Sequence, residues 1–110
     1  MKTVHDLPRI IESHRQSGES WVEFLRVPSL SMGVYVLGAG AADPQEPHTE
    51  DEVYYIVGGR GMLRVGTEDH EFRPGSLLFV PARAVHRFHG IKEDLVALVF
   101  FAPAEGSLAR

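Results

Sequence analysis

The chain has 110 residues, a length that suits one compact domain, since single folded units cluster around roughly 100 to 150 residues. Hydrophobic residues make up 44% and charged residues 24% of the chain, which is typical of an ordinary globular protein and excludes a disordered or fibrous one. The formal net charge is -4 and the Lys and Arg residues are scattered, so no nucleic acid and no membrane surface is expected as a partner.

Composition also restricts any metal site and the expected location of the protein. There are no cysteines, which excludes disulfides and thiolate ligands, so a metal ion must be bound by imidazole and carboxylate groups. The N-terminus lacks the apolar core of a secretion signal, and the longest apolar run, residues 95–102, is far shorter than the roughly 20 residues that span a bilayer. We therefore expect a cytoplasmic protein.

The first predicted element is a short helix within an N-terminal extension of residues 1–20. Apolar residues recur three to four positions apart between Asp6, a favoured N-cap residue, and Gly18, a favoured C-terminal stop. No other helix is expected. His5 and His14 belong to this helical region, and we expect both to be solvated.

From residue 21 onward the pattern is that of short β-strands. β-branched and aromatic residues alternate in seven runs, at residues 21–27, 32–37, 53–57, 62–65, 76–80, 85–89 and 95–101. The breaks between them carry Gly, Pro and Asp and are too short for crossover helices, so neighbouring strands should be antiparallel. The sequence predicts an all-β sandwich or barrel over residues 21–103 and a frayed tail at residues 104–110.

A polar segment, residues 46–52, carries possible metal ligands beside strand sequence. In an extended chain Glu46 and His48 lie on one face about 7 Å apart, close enough to converge on one ion. A straight strand would place Glu52 roughly 13 Å from His48, so we expect a bend across residues 49–51. Glu50 and Asp51 are then expected to be solvated turn acids, and Gln45, on the opposite face, is a less favoured donor.

His86 comes from a distant run, and nothing local in the sequence shows that it meets His48. Spacing alone leaves open that these side chains are only exposed charges around a plain barrel. His70 is expected to be solvated in a hairpin. His89 follows His86 by three residues and should lie on the opposite face of a strand.

Two glycine-bounded motifs in this region resemble those of the cupin superfamily. The first runs Gly40, five residues, Glu46-Pro47-His48, three residues, Glu52, six residues and Gly59, with Glu46 where the family has its first histidine. The second runs Gly75, five residues, Pro81-Ala82-Arg83, two residues, His86, three residues and Gly90, with Arg83 and Gly90 replacing the family's glycine and asparagine. The likeness extends over roughly residues 32–101.

The resemblance implies a jelly-roll-like antiparallel β-barrel in which His48, Glu52 and His86 bind one divalent metal ion. A carboxylate, that of Glu46, would stand where the family has an imidazole. If Glu46 is a ligand, two imidazoles and two carboxylates favour Mn²⁺, Fe²⁺ or Zn²⁺ over soft Cu⁺. If it is not, Glu46 is free to act as an acid or base, or points to solvent.

The predicted barrel interior suits a small organic ligand. Tyr54 and Ile56 share the strand parity of Glu52, and Phe88 shares that of His86, so these three side chains should face inward. Apolar walls around an ion suit a molecule that chelates the ion through oxygen atoms. Plain core packing is the alternative interpretation for Tyr54 and Phe88.

The leading functional hypothesis is a metal-dependent dioxygenase, isomerase or lyase that acts on a small oxygen-bearing molecule, with Glu46 or Tyr54 as the catalytic residue that moves a proton. The alternatives are a non-catalytic metal-containing sensor or binding module, and a barrel with a purely structural ion. Arg64 and Arg73 would attract an acidic substrate if they faced inward. The resemblance also implies a homodimer, with residues 21–27 as a plausible edge strand.

Overall fold

The computed structural model describes residues 2–109, which form one helix and six strands. These are α1 Leu7–Ser17, β1 Trp21–Val27, β2 Leu30–Leu37, β3 Asp51–Val65, β4 Glu68–Phe72, β5 Leu77–Val80 and β6 His86–Ala102. All strand pairs are antiparallel, in the order β1-β2-β6-β3-β4, and β5 pairs with β3. The predicted antiparallel all-β fold with one N-terminal helix is confirmed. The helix is too short to cross a membrane.

The helix begins and ends at the predicted residues. The Asp6 carboxylate accepts a hydrogen bond of 3.2 Å from the backbone N–H of Arg9, and Gly18 ends the helix with a left-handed φ of 74°. The expectation that His14 is solvated is wrong, because its side chain is buried and its Nε2 lies 3.0 Å from the carbonyl oxygen of Ser20. His14 thus fastens the helix to the start of β1.

Two long strands each join two of the runs that were predicted as separate strands. β3 contains the runs at residues 53–57 and 62–65, and the glycine-rich break between them is a series of register shifts against β6. At Gly59, φ is 103° and a Cβ atom would lie 2.6 Å from the backbone oxygen of Asp94, so only glycine allows β6 to pass this closely. β4 was not predicted because its sequence lacks alternating apolar residues.

The side chains that strand alternation predicted to face inward lie on the inner faces of β3 and β6. Tyr54, Ile56 and Phe88 are each 0% exposed. The ring of Phe88 packs edge-on against Tyr54 at 4.9 Å and against Phe72 at 5.4 Å between ring centroids. The prediction that these side chains face the interior is confirmed.

Two arginines were considered as possible binding groups for an acidic substrate, and neither reaches the barrel interior. Arg64 lies on the outer surface, where its guanidinium donates to both carboxylate oxygens of Asp69 at 3.0 and 3.1 Å, and Arg73 is exposed. His89 also contacts Asp69, at 2.8 Å, whereas His86 is buried, in keeping with their predicted opposite faces. The condition under which these arginines would attract an acidic substrate is therefore not met.

β1 lies at one end of the strand order, as expected of an edge strand. Its pairing with a second copy of the chain stays a prediction.

The turn before β6 holds a non-glycine residue in the left-handed backbone region. Arg83 has a φ of 67°, at the position where the family motif has glycine. A side chain in this conformation costs about 1–2 kcal/mol. The backbone N–H of Arg83 nevertheless donates to the carbonyl oxygen of His48 at 2.6 Å, which ties this turn to the segment that carries His48. Gly90, with a φ of 58°, replaces an asparagine, the other residue type that tolerates this region.

Replacing Arg83 by glycine should therefore stabilise the protein. We expect Arg83→Gly to raise the free energy of unfolding by about 0.5–1 kcal/mol, because relief of the left-handed strain exceeds the extra entropy of an unfolded glycine. Urea denaturation measures the change. Arg83→Ala retains the strained Cβ and is the matched control, for which no gain is expected. A glycine variant no more stable than the alanine variant would contradict the explanation.

Candidate metal centre

Three of the four predicted ligands converge on the inner face of the barrel. His48 precedes β3, Glu52 is the second residue of β3, and His86 is the first residue of β6. One potential ligand atom from each residue lies within 4.8 Å of those from the other two. Glu52 and His86 are buried, while His48 is half-buried. This group could hold a metal ion.

Backbone hydrogen bonds explain how His86 reaches His48. The turn that leads into β6 is attached at two points to residues 48–51, where the chain enters β3. The N–H of Ala82 donates to the Asp51 carboxylate at 2.9 Å, and the N–H of Arg83 donates to the backbone of His48. Asp51 is exposed, as expected, but it also caps this turn. The two histidines are thereby held together by loop contacts.

The buried ligand atoms lack partners of their own within the described residues. Both carboxylate oxygens of Glu52 and Nε2 of His86 are fully buried and make no hydrogen bond. His86 Nε2 lies 3.1 Å from Glu52 Oε1, an ion-pair distance when the imidazole is protonated, but the two atoms form no hydrogen bond. An ionised carboxylate buried without a partner costs several kcal/mol, a cost that a bound cation would remove. The residues present therefore fit a divalent metal ion.

The other ring nitrogen of each imidazole faces an oxygen atom. His86 Nδ1 lies 2.9 Å from the carbonyl oxygen of Ala84, which can only accept, so a neutral His86 presents a lone pair at Nε2. Similarly, His48 Nδ1 lies 3.3 Å from Oε2 of Glu105. Burial acts to lower the pKa of His86, but the adjacent Glu52 carboxylate and the Ala84 carbonyl outweigh it and raise the pKa. The protein thus favours positive charge at this point.

Glu46 lies outside this group, with an exposed side chain. Residues 41–50 form no strand, so the alternation that paired Glu46 with His48 does not apply to them. Gln45 faces the site instead. Its Oε1 lies 3.3 Å from His48 Nε2 and accepts a hydrogen bond of 3.0 Å from the Tyr54 hydroxyl. The position of Glu46 gives its predicted ligation no support.

Asp43 was interpreted from the sequence only as a turn residue, because Asp-Pro is typical of turns. Its carboxylate is buried and accepts four hydrogen bonds. The donors are the Tyr35 hydroxyl at 2.6 Å, the Gln45 backbone N–H at 3.1 Å, the Gln45 side-chain amide at 2.8 Å and the Phe88 N–H at 2.8 Å. Burial and the Asp43 carboxylate raise the pKa of Tyr35, which keeps its proton and remains a donor. Asp43 therefore sets the direction of Gln45.

The predicted frayed tail is instead bound to the barrel. The Glu50 carboxylate accepts backbone hydrogen bonds from Gly106 at 2.8 Å and Leu108 at 3.0 Å. Glu50 is 1% exposed, so the expectation that it is solvated is wrong, as is that of a frayed segment over residues 104–109. This attachment brings Glu105 against His48. No local sequence signal could have identified Glu105, because the contact depends on how the tail folds back.

Loss of the Glu50 carboxylate should release this tail. We expect Glu50→Ala to lower the free energy of unfolding by about 2–4 kcal/mol, because it leaves two backbone N–H groups without their charged acceptor. Urea denaturation measures the loss, and hydrogen exchange should become faster at residues 106–108. The exposed Glu46→Ala is the control, with an expected change within about 0.5 kcal/mol. Equal stability of the two variants would show that Glu50 does not hold the tail.

A cavity of about 210 Å³ opens beside His48 and Glu52, two of the three ligand residues. Its walls include the aromatic rings of Trp21, Tyr35, Tyr54 and Phe101, and its polar groups include Gln45, His48, Glu52 and Glu105. None of the described residues that line it is Lys or Arg. A larger groove of about 560 Å³ lies between the helix and β1, but none of the three ligand residues lines it. The smaller cavity is therefore the candidate ligand site.

Comparisons with known proteins agree with this arrangement. Residues 33–101 match the family model described as Cupin domain. An uncharacterized protein of Streptomyces coelicolor is 44% identical over 96 residues, which cover 86% of this chain and 91% of that protein. A crystal structure of a Thermus thermophilus protein superposes with a TM-score of 0.73 at 28% identity, covering 94% of this chain and 99% of that one.

An enzyme of known activity is similar over a shorter region. An acireductone dioxygenase of Bacillus cereus is 38% identical over 66 residues, which cover 54% of this chain. The same region covers only 38% of the dioxygenase, so the chain spans well under half of that enzyme's length.

Proposed function

Because the chain belongs to the cupin family, we propose that it is a metal-dependent enzyme that acts on a small oxygen-bearing organic molecule. The observation that carries this proposal is the convergence of His48, Glu52 and His86, with the Glu52 oxygens and His86 Nε2 buried without hydrogen bonds, next to a cavity that His48 and Glu52 line. Two imidazoles and one carboxylate with open positions are the ligand set of non-haem Fe(II) oxygenases. The same donors also suit Mn²⁺ and Zn²⁺.

The two residues predicted to move a proton, Glu46 and Tyr54, do not fit that role in the structure. A bound divalent ion would polarise a substrate oxygen and stabilise negative charge on it. Burial, together with the nearby Glu52 carboxylate, raises the pKa of Tyr54 well above its usual range. The Tyr54 hydroxyl therefore keeps its proton and acts as a hydrogen-bond donor at Oη, not as a base. Glu46 does not line the cavity, so we assign it no proton transfer.

Two features favour catalysis or ligand binding over a purely structural ion. The cavity gives a small molecule access to the ligand atoms, whereas structural sites complete their coordination with protein groups. Similarity to a dioxygenase over about half of the chain supports an enzyme. A metal-containing sensor would use the same cavity. Ligand binding without O₂ uptake or conversion of the ligand would favour that alternative.

Metal content gives the first test of the proposed function. Protein purified without added metal should contain close to one Fe, Mn or Zn per chain by elemental analysis, and His86→Ala should lose it because an imidazole ligand is removed. His89→Ala is the matched control, since His89 contacts Asp69 on the outer face of the same strand and should leave the metal in place. Metal-free wild-type protein, or equal metal content in both variants, would refute the proposed site.

The charge of the cavity restricts the class of substrate. Glu52 and Glu105 contribute carboxylates to its wall, and the described lining residues include no Lys or Arg to offset them. The rings of Trp21 and Phe101 favour an apolar or cationic group. The volume also lies below the range of roughly 300–1,000 Å³ for pockets that hold drug-sized ligands. We propose a small substrate that is uncharged or positively charged away from its metal-binding oxygen.

Three hydroxamic acids with one metal-binding group and different tails test this charge preference. The tail is tert-butyl in 3,3-dimethylbutanohydroxamic acid, trimethylammonium in betaine hydroxamate and carboxylate in malonic monohydroxamate. Calorimetry on Zn²⁺-loaded protein should show about tenfold weaker binding of the carboxylate probe than of the other two, because its charge meets Glu105. Glu105→Gln should reduce this difference. Tightest binding of the carboxylate probe would contradict the proposed substrate class.

A further inference from the structure

We propose that the amide oxygen of Gln45, and not the carboxylate of Glu46, is the fourth protein ligand of the metal ion. The inference rests on the proposed metal-binding function and concerns which side chain completes the site. Gln45 lines the cavity together with His48 and Glu52, whereas Glu46 is exposed. Strand parity favoured Glu46, but the segment before β3 is not a strand.

The contact between Gln45 and His48 places two potential ligand atoms close enough to share one metal ion. If the proton of a neutral His48 lies on Nδ1, 3.3 Å from the Glu105 carboxylate, Nε2 carries the lone pair. That nitrogen lies 3.3 Å from Oε1 of Gln45, which is also an acceptor. Without a metal ion, the tautomer with its proton on Nε2 donates a hydrogen bond to Oε1; a metal ion would take the place of that proton and receive a lone pair from each atom. A metal ion would also bind the unpaired oxygens of Glu52.

The amide of Gln45 is held with its oxygen toward the site. Asp43 accepts hydrogen bonds from both the backbone N–H and the side-chain NH₂ of Gln45. A carboxylate cannot donate, so the NH₂ group must face Asp43 and Oε1 must face the cavity. The Tyr54 hydroxyl occupies one lone pair of Oε1. The second lone pair remains available to a metal ion.

An amide ligand changes the charge of the site. Two imidazoles, one carboxylate and one neutral amide leave a divalent ion with one formal positive charge, whereas a second carboxylate from Glu46 would cancel it. The remaining charge makes the ion a stronger Lewis acid and strengthens its attraction for a substrate oxygen. Asp43 contributes as a positioning residue, because its hydrogen bonds direct the amide without contact with the ion.

Mn²⁺ affinity of matched variants tests the assignment. The dissociation constant can be measured from the electron paramagnetic resonance signal of free Mn²⁺ during titration of metal-free protein. Gln45→Leu removes the donor at similar size and should weaken binding about tenfold or more, in the range that loss of groups supporting a metal ligand produces. Glu46→Gln should change the dissociation constant by less than about twofold.

The variant Tyr54→Phe tests whether Gln45 binds the metal ion or only holds the Tyr54 hydroxyl. It removes the hydroxyl bonded to Gln45 but leaves the amide oxygen in place, so Mn²⁺ affinity should be retained within about threefold. Equal losses in Tyr54→Phe and Gln45→Leu would overturn the assignment, since they would show that Gln45 acts only as a partner of the hydroxyl. A tenfold loss in Glu46→Gln, or none in Gln45→Leu, would overturn it as well.

The same titration separates this proposal from the proposed function. If wild-type protein binds no Mn²⁺, Fe²⁺ or Zn²⁺, the metal site itself is refuted, and the fourth ligand with it. If wild-type protein binds metal and His86→Ala does not, the site stands, and only the comparison of Gln45→Leu with Glu46→Gln decides the fourth ligand. Thermal unfolding of each metal-free variant confirms that the protein compared is folded.

Discussion

The buried carboxylate of Glu52 is the constraint on which the rest of the site depends. Its two oxygens are enclosed by the barrel and receive no hydrogen bond from the described residues. Such a group is stable only if it is neutralised, and when His86 is neutral its Nε2, 3.1 Å away, turns a lone pair toward the same point. A divalent cation satisfies both groups at once. The aromatic walls of the adjoining cavity then determine what else can reach that cation.

Contacts between loops, more than strand pairing, hold the site together. The turn before β6 is bonded to the backbone of His48 and to Asp51, and the C-terminal segment is bonded to Glu50. These attachments fix residues 48–51, where the chain enters β3. They also bring a carboxylate from the chain's end, that of Glu105, to the ring of His48. Hydrogen bonds between irregular segments therefore fix the positions of the site residues, which strand pairing alone would leave free.

Regular elements were predictable from the sequence, and the directions of loop side chains were not. Strand parity placed Tyr54 and Phe88 in the interior because alternation applies wherever β-structure continues. The same parity selected Glu46 over Gln45 and was misleading, because Asp43 turns the chain before β3 and binds Gln45. Glycines at residues 58–61 suggested a turn, since a bulge and a turn require the same backbone freedom. Only the family motifs identified His86 as a ligand, because its approach to His48 depends on hydrogen bonds between segments that are far apart in the sequence.

X-ray absorption at the K-edge of the bound metal tests the central claim most directly, because it reports the ligands themselves. We predict one ion per chain whose first shell contains two imidazole nitrogens, recognisable by their multiple scattering, and oxygen atoms at about 2.0–2.2 Å. The nitrogens would belong to His48 and His86, and the oxygens to Glu52 and one further donor. A shell of oxygen atoms without imidazole, or a protein that takes up no metal, would contradict the explanation of the buried carboxylate.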